Sequence, residues 1–441
     1  MRSSYRDEDV TLLLKDITGM VQPQPTEERE KLIQAGKHYS EMLPVEYVPT
    51  EKYMQVYREA LKNYAKPVAL AVGRLADKII EKKGQDIVLV SLARAGIPIG
   101  ILVKRYIAKK YQVNVPHYSI SIIRGRGIDD NAMKYLLSRY EPGQLLFVDG
   151  WIGKGAILNE LKKDLAQYEG VSSDIAVIAD PANVTELCGT HDDILIPSSC
   201  LNSTVSGLIS RTFLRSDIIG KDDFHGAVYY GELKDSDLSY EFIHTIENEF
   251  EMDVEKENKC VESSGIDEVK QIAKTFDIDD INLIKPGIGE ATRVLLRRVP
   301  WKILIDERYK GDPQLGHLVR LAEEKNVSIQ YYPMKHYKCC GIIKKMSDIS
   351  KILPVSRKIY AYVSLVSSCQ RNLCIHQSGL SCQRNSCIHK FSLLCQRPLQ
   401  EIRFFLPSYG GFCIRSCVHP QDFRRQASLI FYPSLKLLLH R

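Results

Sequence analysis

The stretch Leu145–Leu158 carries the residue types that bind a phosphorylated sugar. The apolar run Leu145–Val148 predicts a buried parallel strand, and Asp149 stands at its end. Glycines at 150, 153 and 155 follow, and an apolar helical pattern begins at Ala156. Because turn amides and a helix N-terminus direct positive charge to one place, the pattern predicts an anion site with a carboxylate for sugar hydroxyls.

The predicted phosphate turn consists of Gly153, Lys154, Gly155 and Ala156. It differs from a nucleotide P-loop, which needs four residues between its two glycines and Ser or Thr after the Lys. Only two residues separate Gly150 from Gly153, and Gly155 follows Lys154. A sugar phosphate is therefore favoured over a nucleotide triphosphate.

Two arginine-containing loops supply further anion ligands. Arg94 and Gly96 follow the first predicted strand, where an arginine can bind phosphate through paired hydrogen bonds. Arg124 and Arg126 alternate with glycines, which predicts a mobile loop that folds over an anion. A surface arginine for the first loop, and a solvated or RNA-contacting loop for the second, remain open.

Cys200 offers a different chemistry. It follows the predicted strand Ile194–Pro197, with His191 upstream and His225 downstream. A nucleophilic cysteine needs a base within hydrogen-bond reach and a lowered pKa. The alternatives are a packing residue in a strand-to-helix turn and a wall of an acceptor pocket.

An acceptor pocket is predicted from two polar segments. The run 38–47 is dense in ionisable and aromatic groups, and is either a surface loop or a substrate-facing lid. The segment after Cys200 carries amide and hydroxyl side chains. The candidate acceptor residues are His38, Glu41, Asn202, Ser203 and Thr204.

Alternating strands and helices from residue 85 onward predict the α/β class, with an open and mostly parallel sheet. A long helix is predicted over 51–83, and a short helical pattern over 10–17. The predicted strands are Ile87–Leu92, Tyr118–Ile123, Leu145–Val148, Ile175–Ala179 and Ile194–Pro197, with helices at 97–111, 131–140, 156–168 and 203–213.

The three anion loops resemble, in order and spacing, those of type I phosphoribosyltransferases. The resemblance implies that Asp149 binds ribose hydroxyls and that Gly153–Ala156 bind the 5′-phosphate of phosphoribosyl pyrophosphate (PRPP). Arg94, Arg124 and Arg126 would neutralise pyrophosphate together with Mg²⁺, with no metal held by the protein alone. The chain departs from the pattern where Gly150 replaces a second acid and Lys154 a small hydroxyl residue.

Three segments, His38–Glu46, Ser91–Gly100 and Ser198–Gly207, together resemble a bacterial stress family found with tellurite-resistance-type genes, and the resemblance covers about residues 5–345. That family is described both as a divergent phosphoribosyltransferase and as cysteine protease StiP. The main expectation is PRPP-dependent phosphoribosyl transfer to an unidentified acceptor. The transfer would make a nucleoside-like metabolite in a stress response and would be coupled to an RNA-binding module. The alternatives are a cysteine peptidase using Cys200 and a non-enzymatic sugar-phosphate sensor that regulates RNA binding.

Residues 282–345 resemble the Pelota/L7Ae-type RNA-binding fold. Its predicted elements are strands Trp301–Ile305 and Val327–Tyr332 around a helix at 315–325, and Gly289 stands where the family has an asparagine. Basic side chains there could contact phosphates, and a packing or dimerising face is the alternative. The implied RNA-binding residues are Gly287, Glu290, Thr292, Arg293 and Arg297.

The segment after Pro354 has a composition of its own. It holds 12 of the 60 Lys and Arg, 2 of the 54 Asp and Glu, and seven of the 12 cysteines. Cys369–His376 recurs as Cys382–His389, a spacing unlike that of zinc sites, so a disordered, frameshifted repeat is predicted. The predicted domains are 1–250, a linker with a first helix at 251–280, 281–348, and a tail at 349–441.

The rest of the chain is typical of a cytoplasmic protein. Few cysteines precede the tail, as in a reducing compartment. The N-terminus is charged and no apolar run approaches a membrane span, so neither a signal peptide nor a membrane partner is expected. The expected partners are a small sugar phosphate and RNA, with a homodimer left open.

Overall fold

A computed structural model describes residues 1–25, 28–29, 32–33, 36–257 and 264–344. Within this part, the chain forms a six-stranded sheet, a four-stranded sheet and two two-stranded pairs. All of them belong to one compact unit. The predicted disorder and cysteine repeat of the tail lie outside the described residues.

The first sheet has six strands, and each neighbouring pair is parallel. Its order is β1-β4-β3-β7-β8-β9, which confirms the predicted α/β class with an open parallel sheet. Two pairs of short strands lie outside this sheet: β2 pairs with β10, and β5 pairs with β6. The bounds are β1 Thr11–Leu12, β2 Lys15–Asp16, β3 Val88–Leu92, β4 His117–Ile120, β5 Ile122–Ile123, β6 Gly127–Ile128, β7 Leu145–Trp151, β8 Ile175–Ala179, β9 Cys188–Thr190 and β10 Gly226–Ala227.

Helices cover this sheet and bury its apolar strands. The long helix α1 places Tyr57, Val68 and Val72 in the core, at the spacing of one helical face. No described helix has the length and apolar character needed to cross a membrane. The bounds are α1 Glu51–Lys83, α2 Gly96–Tyr111, α3 Asp130–Leu137, α4 Ala156–Leu165 and α5 Ser239–Glu247.

The strand order reverses between β3 and β7. From β3 the chain continues to β4 on one side, whereas from β7 it continues to β8 on the other. In open parallel sheets such a reversal opens a crevice at the carboxyl ends of the two strands. The loops after β3 and β7 are those predicted to bind anions, so the topology brings them together.

The second domain has a four-stranded sheet of order β11-β14-β12-β13. Its strand–helix–strand core matches the predicted elements to within two residues at each end. The segment predicted as a linker with a first helix contains α6. The bounds are α6 Gly265–Thr275, β11 Ile284–Pro286, α7 Ile288–Arg297, β12 Pro300–Ile305, α8 Gly316–Glu324, β13 Ser328–Tyr331 and β14 Cys339–Ile343.

Three predicted elements of the first domain were wrong. Residues 10–17 form short strands, because the amides of Leu13 and Lys15 bond carbonyls of other segments. The run Ile194–Pro197 is not a strand, since Pro197 lacks an amide proton and begins a 3₁₀ turn. The helix predicted at 203–213 is a single 3₁₀ turn, interrupted by Gly207 and Leu208 at positive φ.

Candidate functional site

The loops after β3 and β7 touch each other at the crevice. A Cβ atom on Gly96 would lie 2.3 Å from the carbonyl oxygen of Val148 and 3.1 Å from Cα of Asp149. Only glycine permits so close an approach. The Ala95 carbonyl oxygen also lies 3.5 Å from the Cβ position of Gly150. The predicted pyrophosphate loop and the predicted ribose turn are therefore neighbours.

Asp149 has an unusual protonation equilibrium. Burial raises its pKa to about 7, although the Gly150 amide, which donates to Oδ1 at 2.7 Å, and the positive charge of Arg293 lower it. A carboxyl in this state is divided between its neutral and charged forms near neutral pH. It can donate or accept a hydrogen bond to a sugar hydroxyl.

The predicted phosphate turn is docked against the second domain. The Lys154 ammonium donates to the carbonyl oxygens of Ile281 at 2.5 Å and Ile284 at 3.1 Å. The Tyr337 hydroxyl donates to the Gly153 carbonyl oxygen at 2.7 Å. Burial and the charge of Lys285 lower the pKa of Lys154 to about 8. Residues 150–155 and 193–199 of the first domain both contact the second domain. We call this contact region the seam.

Asp193 fastens the other end of the seam. One carboxylate oxygen accepts from the Ile288 amide and the other from the Lys338 amide, both at 2.9 Å. The Ile288 amide begins helix α7, where an acidic group is favoured by the helix dipole. Burial raises the pKa of Asp193 to about 6 despite these bonds.

The seam encloses a small cavity of about 20 Å³, which is room for about one water molecule. A sugar phosphate does not fit it in this arrangement, so binding at the turn requires the seam to open. The cavity is lined by Trp151, Gly153, Ala179, Pro181, Asp193, Ile194, Ile196, Ser199, Pro286, Gly287, Gly289 and Glu290.

Arg124 and Arg126, in the loop predicted to fold over an anion, contact the predicted lid segment 38–47. Arg126 forms an ion pair with Glu41 at 2.5 Å, and His38 Nε2 donates to the Arg124 carbonyl oxygen at 3.2 Å. The Arg124 guanidinium reaches the second domain at Asn282 Oδ1, 3.0 Å away. Burial and the charge of Arg126 lower the pKa of His38.

Arg94 and the predicted acceptor segment meet on one side of the crevice. The Arg94 guanidinium donates to the Ile209 carbonyl oxygen at 2.8 Å and to Asn202 Oδ1 at 3.1 Å. The Ser203 hydroxyl donates to Glu46 at 3.0 Å. Thr204 is buried, and its hydroxyl has no hydrogen-bond partner among the described residues.

Cys200 lies inside the main apolar core and is completely buried. The two histidines proposed as its base engage other groups. His225 Nδ1 lies 2.8 Å from the Ser121 hydroxyl, and His191 lies beside Cys188. The burial of Cys200 agrees with the alternative in which it is a packing residue.

Cys188, His191 and Asp180 form a cluster at the edge of the sheet: Cys188 begins β9, His191 follows β9, and Asp180 follows β8. Cys188 Sγ is 3.3 Å from His191 Nε2. His191 Nδ1 is 3.0 Å from the Asp180 carbonyl oxygen and 4.0 Å from Asp180 Oδ2. Because the Nδ1–H donates to Asp180, Nε2 is left as the acceptor for the thiol proton.

The thiol of Cys188 is shielded. Burial raises its pKa to about 12; the positive charge of Lys78 lowers the pKa, and the charges of Asp180 and Glu257 raise it. Glu257 lies over the cluster, accepting from the Thr190 hydroxyl at 2.8 Å and from the His191 amide at 3.1 Å. The resting pair is therefore a neutral thiol beside an imidazole.

Three of the five residues predicted to bind RNA, Gly287, Glu290 and Arg293, face the first domain. The Cβ position of Gly287 lies 3.1 Å from Asp193 Oδ1, and Glu290 lines the seam cavity. The Arg293 guanidinium lies 5.4 Å from the centre of the Trp151 ring. Thr292 is completely buried, which leaves it no access to RNA in this arrangement. The side chain of Arg297 lies outside the described part.

Sequence reasoning missed the cluster around Cys188, although one signal was present. Asp180 follows the apolar strand Ile175–Ala179 as Asp149 follows its own strand. Cys188 and His191 are three residues apart, but the edge strand that begins at Cys188 is only three residues long and ends before His191. A strand that short leaves no pattern to detect.

Family models match most of the described chain. Residues 3–247 match the family described as "Tellurite-like stress resistance cysteine protease StiP". Residues 263–345 match the "PELOTA RNA binding domain". The second match begins just before helix α6 and includes the whole four-stranded sheet.

A curated relative is similar over nearly its whole length. It is the protein named "Cysteine protease StiP" from Acinetobacter baylyi (strain ATCC 33305 / BD413 / ADP1), which is 35% identical over 365 residues. The similarity covers 78% of this chain and 94% of that protein.

Similar solved structures include phosphoribosyltransferases. A hypoxanthine-guanine enzyme from Bacillus anthracis is 16% identical, with 30% of this chain and 71% of that chain covered and a TM-score of 0.20. A xanthine-guanine-hypoxanthine enzyme from Helicobacter pylori is 15% identical, with 26% and 70% covered and a TM-score of 0.19. Similarity at that level gives no indication of activity. The two family matches and the curated relative show that the chain belongs to the StiP family and carries a Pelota RNA-binding domain.

Proposed function

We propose that the protein is a cysteine-type peptidase whose nucleophile is Cys188. The observation that carries the proposal is the 3.3 Å contact between Cys188 Sγ and His191 Nε2. A thiol within hydrogen-bond reach of an imidazole, itself oriented by a third group, is the arrangement that nucleophilic catalysis requires. The relative named as a cysteine protease supports the same class.

The reaction would begin with the neutral thiol of Cys188 beside the His191 imidazole. The thiol proton passes to His191 Nε2 while Sγ bonds to the carbonyl carbon of the scissile peptide. The peptide C–N bond then breaks, the leaving amine takes the proton from His191, and a thioester remains. Water, deprotonated by His191, hydrolyses that thioester to a carboxylic acid and restores the thiol.

Asp180 would act through His191 rather than on the substrate. Its carbonyl oxygen holds the Nδ1–H, and its carboxylate is fixed by the amides of Val184 and Thr185 at 2.7 and 2.8 Å. This keeps Nε2 directed at sulfur and stabilises the imidazolium that forms after proton transfer.

Access to the thiol would require Glu257 to leave the cluster. Its carboxylate bonds Thr190 and the His191 amide and also disfavours the thiolate. Since Cys188 is completely buried, the described state is a latent one. We infer that displacement of the Glu257 side chain admits the substrate.

The test is thiol-dependent hydrolysis of fluorescein-labelled casein by the full chain. His191→Gln is expected to lower the rate at least 100-fold, because the thiol loses its proton acceptor. Cys200→Ala is the matched control and is expected to retain activity. Activity that survives His191→Gln but is lost in Cys200→Ala would overturn the assignment.

A second candidate is PRPP-dependent phosphoribosyl transfer to an unidentified acceptor at the crevice. The contact of the Gly96 loop with Asp149 at the strand-order reversal favours it. Asp149 would hold ribose hydroxyls, and Arg94 would contact the pyrophosphate. Mg²⁺ would supply charge neutralisation of the leaving pyrophosphate. If the same site binds the sugar phosphate but does not catalyse its transfer, the protein would be a sugar-phosphate sensor.

The Pelota domain would bind RNA in either case. The match over residues 263–345 supports this role. Binding of fluorescent single-stranded RNA to the full chain at low salt tests it, because phosphate contacts are strongest there.

A further inference from the structure

The Pelota domain contains a second cavity, of about 280 Å³, beside its edge strand β13. The volume is close to the lower end, ~300 Å³, of small-ligand sites. It shares no lining residue with the seam cavity. It is lined by Ile305, Tyr309, Lys310, Gly311, Asp312, Pro313, Leu315, Gly316, Val319, Arg320, Glu323 and Tyr331.

The floor and walls of this cavity suit a flat, partly apolar ring. Ile305 and Leu315 are buried and provide an apolar base. Tyr309 and Tyr331 form aromatic walls, and Tyr331 is 43% exposed. An exposed large aromatic ring beside a cavity is a surface on which a nucleobase can stack.

Each aromatic wall carries a cation. The Lys310 ammonium lies 5.0 Å from the centre of the Tyr331 ring, and the Lys338 ammonium lies 5.3 Å from that of Tyr309. Ammonium groups at the rim of a base-sized cavity are placed to contact the phosphates that flank a base. Arg320 is already paired with Glu59 at 2.8 Å.

The rim also offers a carboxylate acceptor. Glu323 is exposed, and its carboxylate forms no hydrogen bond or ion pair with the described residues. Asp312, in contrast, accepts from the Gln314 amide at 2.8 Å. Glu323 can therefore accept from the N–H groups on the edge of a stacked base.

Part of the face predicted from sequence to contact RNA is covered in this arrangement. Gly287 packs on Asp193 of the first domain, and Thr292 is buried within the second domain. A surface away from these residues is open to RNA without any rearrangement of the domains. We propose that the β13 cavity binds one nucleotide of single-stranded RNA, with the base stacked on Tyr331 and its phosphates on Lys310. This rests on the proposed RNA binding of the domain.

The test is the affinity of a fluorescent single-stranded RNA for the full chain, measured by anisotropy at several salt concentrations. Tyr331→Ala is expected to weaken binding about tenfold, because a stacked base contributes about 1–3 kcal/mol. Tyr331→Phe keeps the ring and is expected to bind within twofold of the unmodified chain. Thermal unfolding of each variant checks that the fold is retained.

Two lysine substitutions distinguish binding at this cavity from general electrostatic attraction of RNA to the protein. Lys310→Gln is expected to weaken binding several-fold and to reduce the salt slope by about one, as for one lost phosphate contact. Lys274→Gln removes an exposed lysine of α6 and is expected to change neither. RNA carrying 4-thiouridine is expected to cross-link within residues 309–331.

The outcomes distinguish this inference from RNA binding itself. Binding that is insensitive to Tyr331→Ala and Lys310→Gln, with cross-links at residues 285–298, overturns the cavity while RNA binding stands. Failure of the unmodified chain to bind any RNA at low salt overturns both.

Discussion

Sγ of Cys188 lies 3.3 Å from Nε2 of His191, three residues along the chain. The short edge strand β9 ends between them, so the chain turns the imidazole back over the sulfur. Asp180 holds the far nitrogen of the ring through its carbonyl oxygen. The pair lies at the edge of the parallel sheet, whereas Cys200, the nucleophile considered from sequence, lies in the apolar core.

Removal of Glu257 should make Cys188 more reactive. Its carboxylate raises the pKa of Cys188 and covers the His191 amide. In Glu257→Ala, a lower thiol pKa increases the thiolate fraction at pH 8, and alkylation of Cys188 by iodoacetamide should accelerate several-fold. Glu255→Ala, two residues earlier and exposed, is the control and should leave the rate unchanged. Equal rates in both variants would show that Glu257 does not shield the thiol.

Asp149→Asn should stabilise the protein selectively at high pH. Burial raises the pKa of Asp149 from 3.8 to about 7, so the folded protein keeps a proton that the unfolded chain releases. The contribution of Asp149 to the free energy of unfolding is therefore full below pH 3.8 and falls as pH rises through 7. Asparagine mimics the protonated carboxyl.

The measurement is thermal unfolding at pH 4.5 and pH 8. Asp149→Asn should raise Tm by about 3 °C at pH 8 relative to the unmodified chain, and by less at pH 4.5. The reverse order would mean that the carboxylate, not the carboxyl, is the stable buried form. If the crevice transfers phosphoribosyl groups, the same variant should also lose pyrophosphate release.

A disulfide across the seam should block sugar-phosphate binding. The Cβ position of Gly289 lies 3.6 Å from Cβ of Ser199, within the range of disulfides. In Ser199→Cys/Gly289→Cys, oxidation should hold the second domain on the turn, whose cavity admits about one water molecule. Reduction should restore the opening.

Thermal stabilisation by PRPP with Mg²⁺ reports the binding. The reduced double variant should be stabilised by PRPP and the oxidised form should not, with oxidised unmodified chain and both single variants as controls. Equal stabilisation of the locked and unlocked forms would place the ligand away from the seam.

The sequence predicted the parts of the fold that follow hydrophobic periodicity. The strand Ile175–Ala179 and the helix over 51–83 agree with the structure because their patterns are long and continuous. The apolar run Ile194–Pro197 was wrongly predicted as a strand. Ile194 and Ile196 face the second domain at the seam, so the contact between the domains contributes to their burial. Nothing in a local pattern records that a second domain covers a segment.

The candidate sites were predictable to different degrees. The adjacency of Gly96 and Asp149 follows from strand order, which the alternating pattern already suggests. The docking of Lys154 on the carbonyls of Ile281 and Ile284 joins residues over 120 positions apart, as a tertiary contact that no spacing predicts. The Cys188 cluster depends on the edge strand β9, which is too short to show a period.

Trapping with an epoxysuccinyl inhibitor of thiol peptidases tests the central claim most directly. The full chain, incubated with the inhibitor during casein hydrolysis, is digested, and the modified peptide is identified by mass spectrometry. Covalent modification at Cys188, abolished in His191→Gln and retained in Cys200→Ala, is the predicted result. Modification at Cys200 with Cys188 unmodified, accompanied by full loss of hydrolysis, would contradict it.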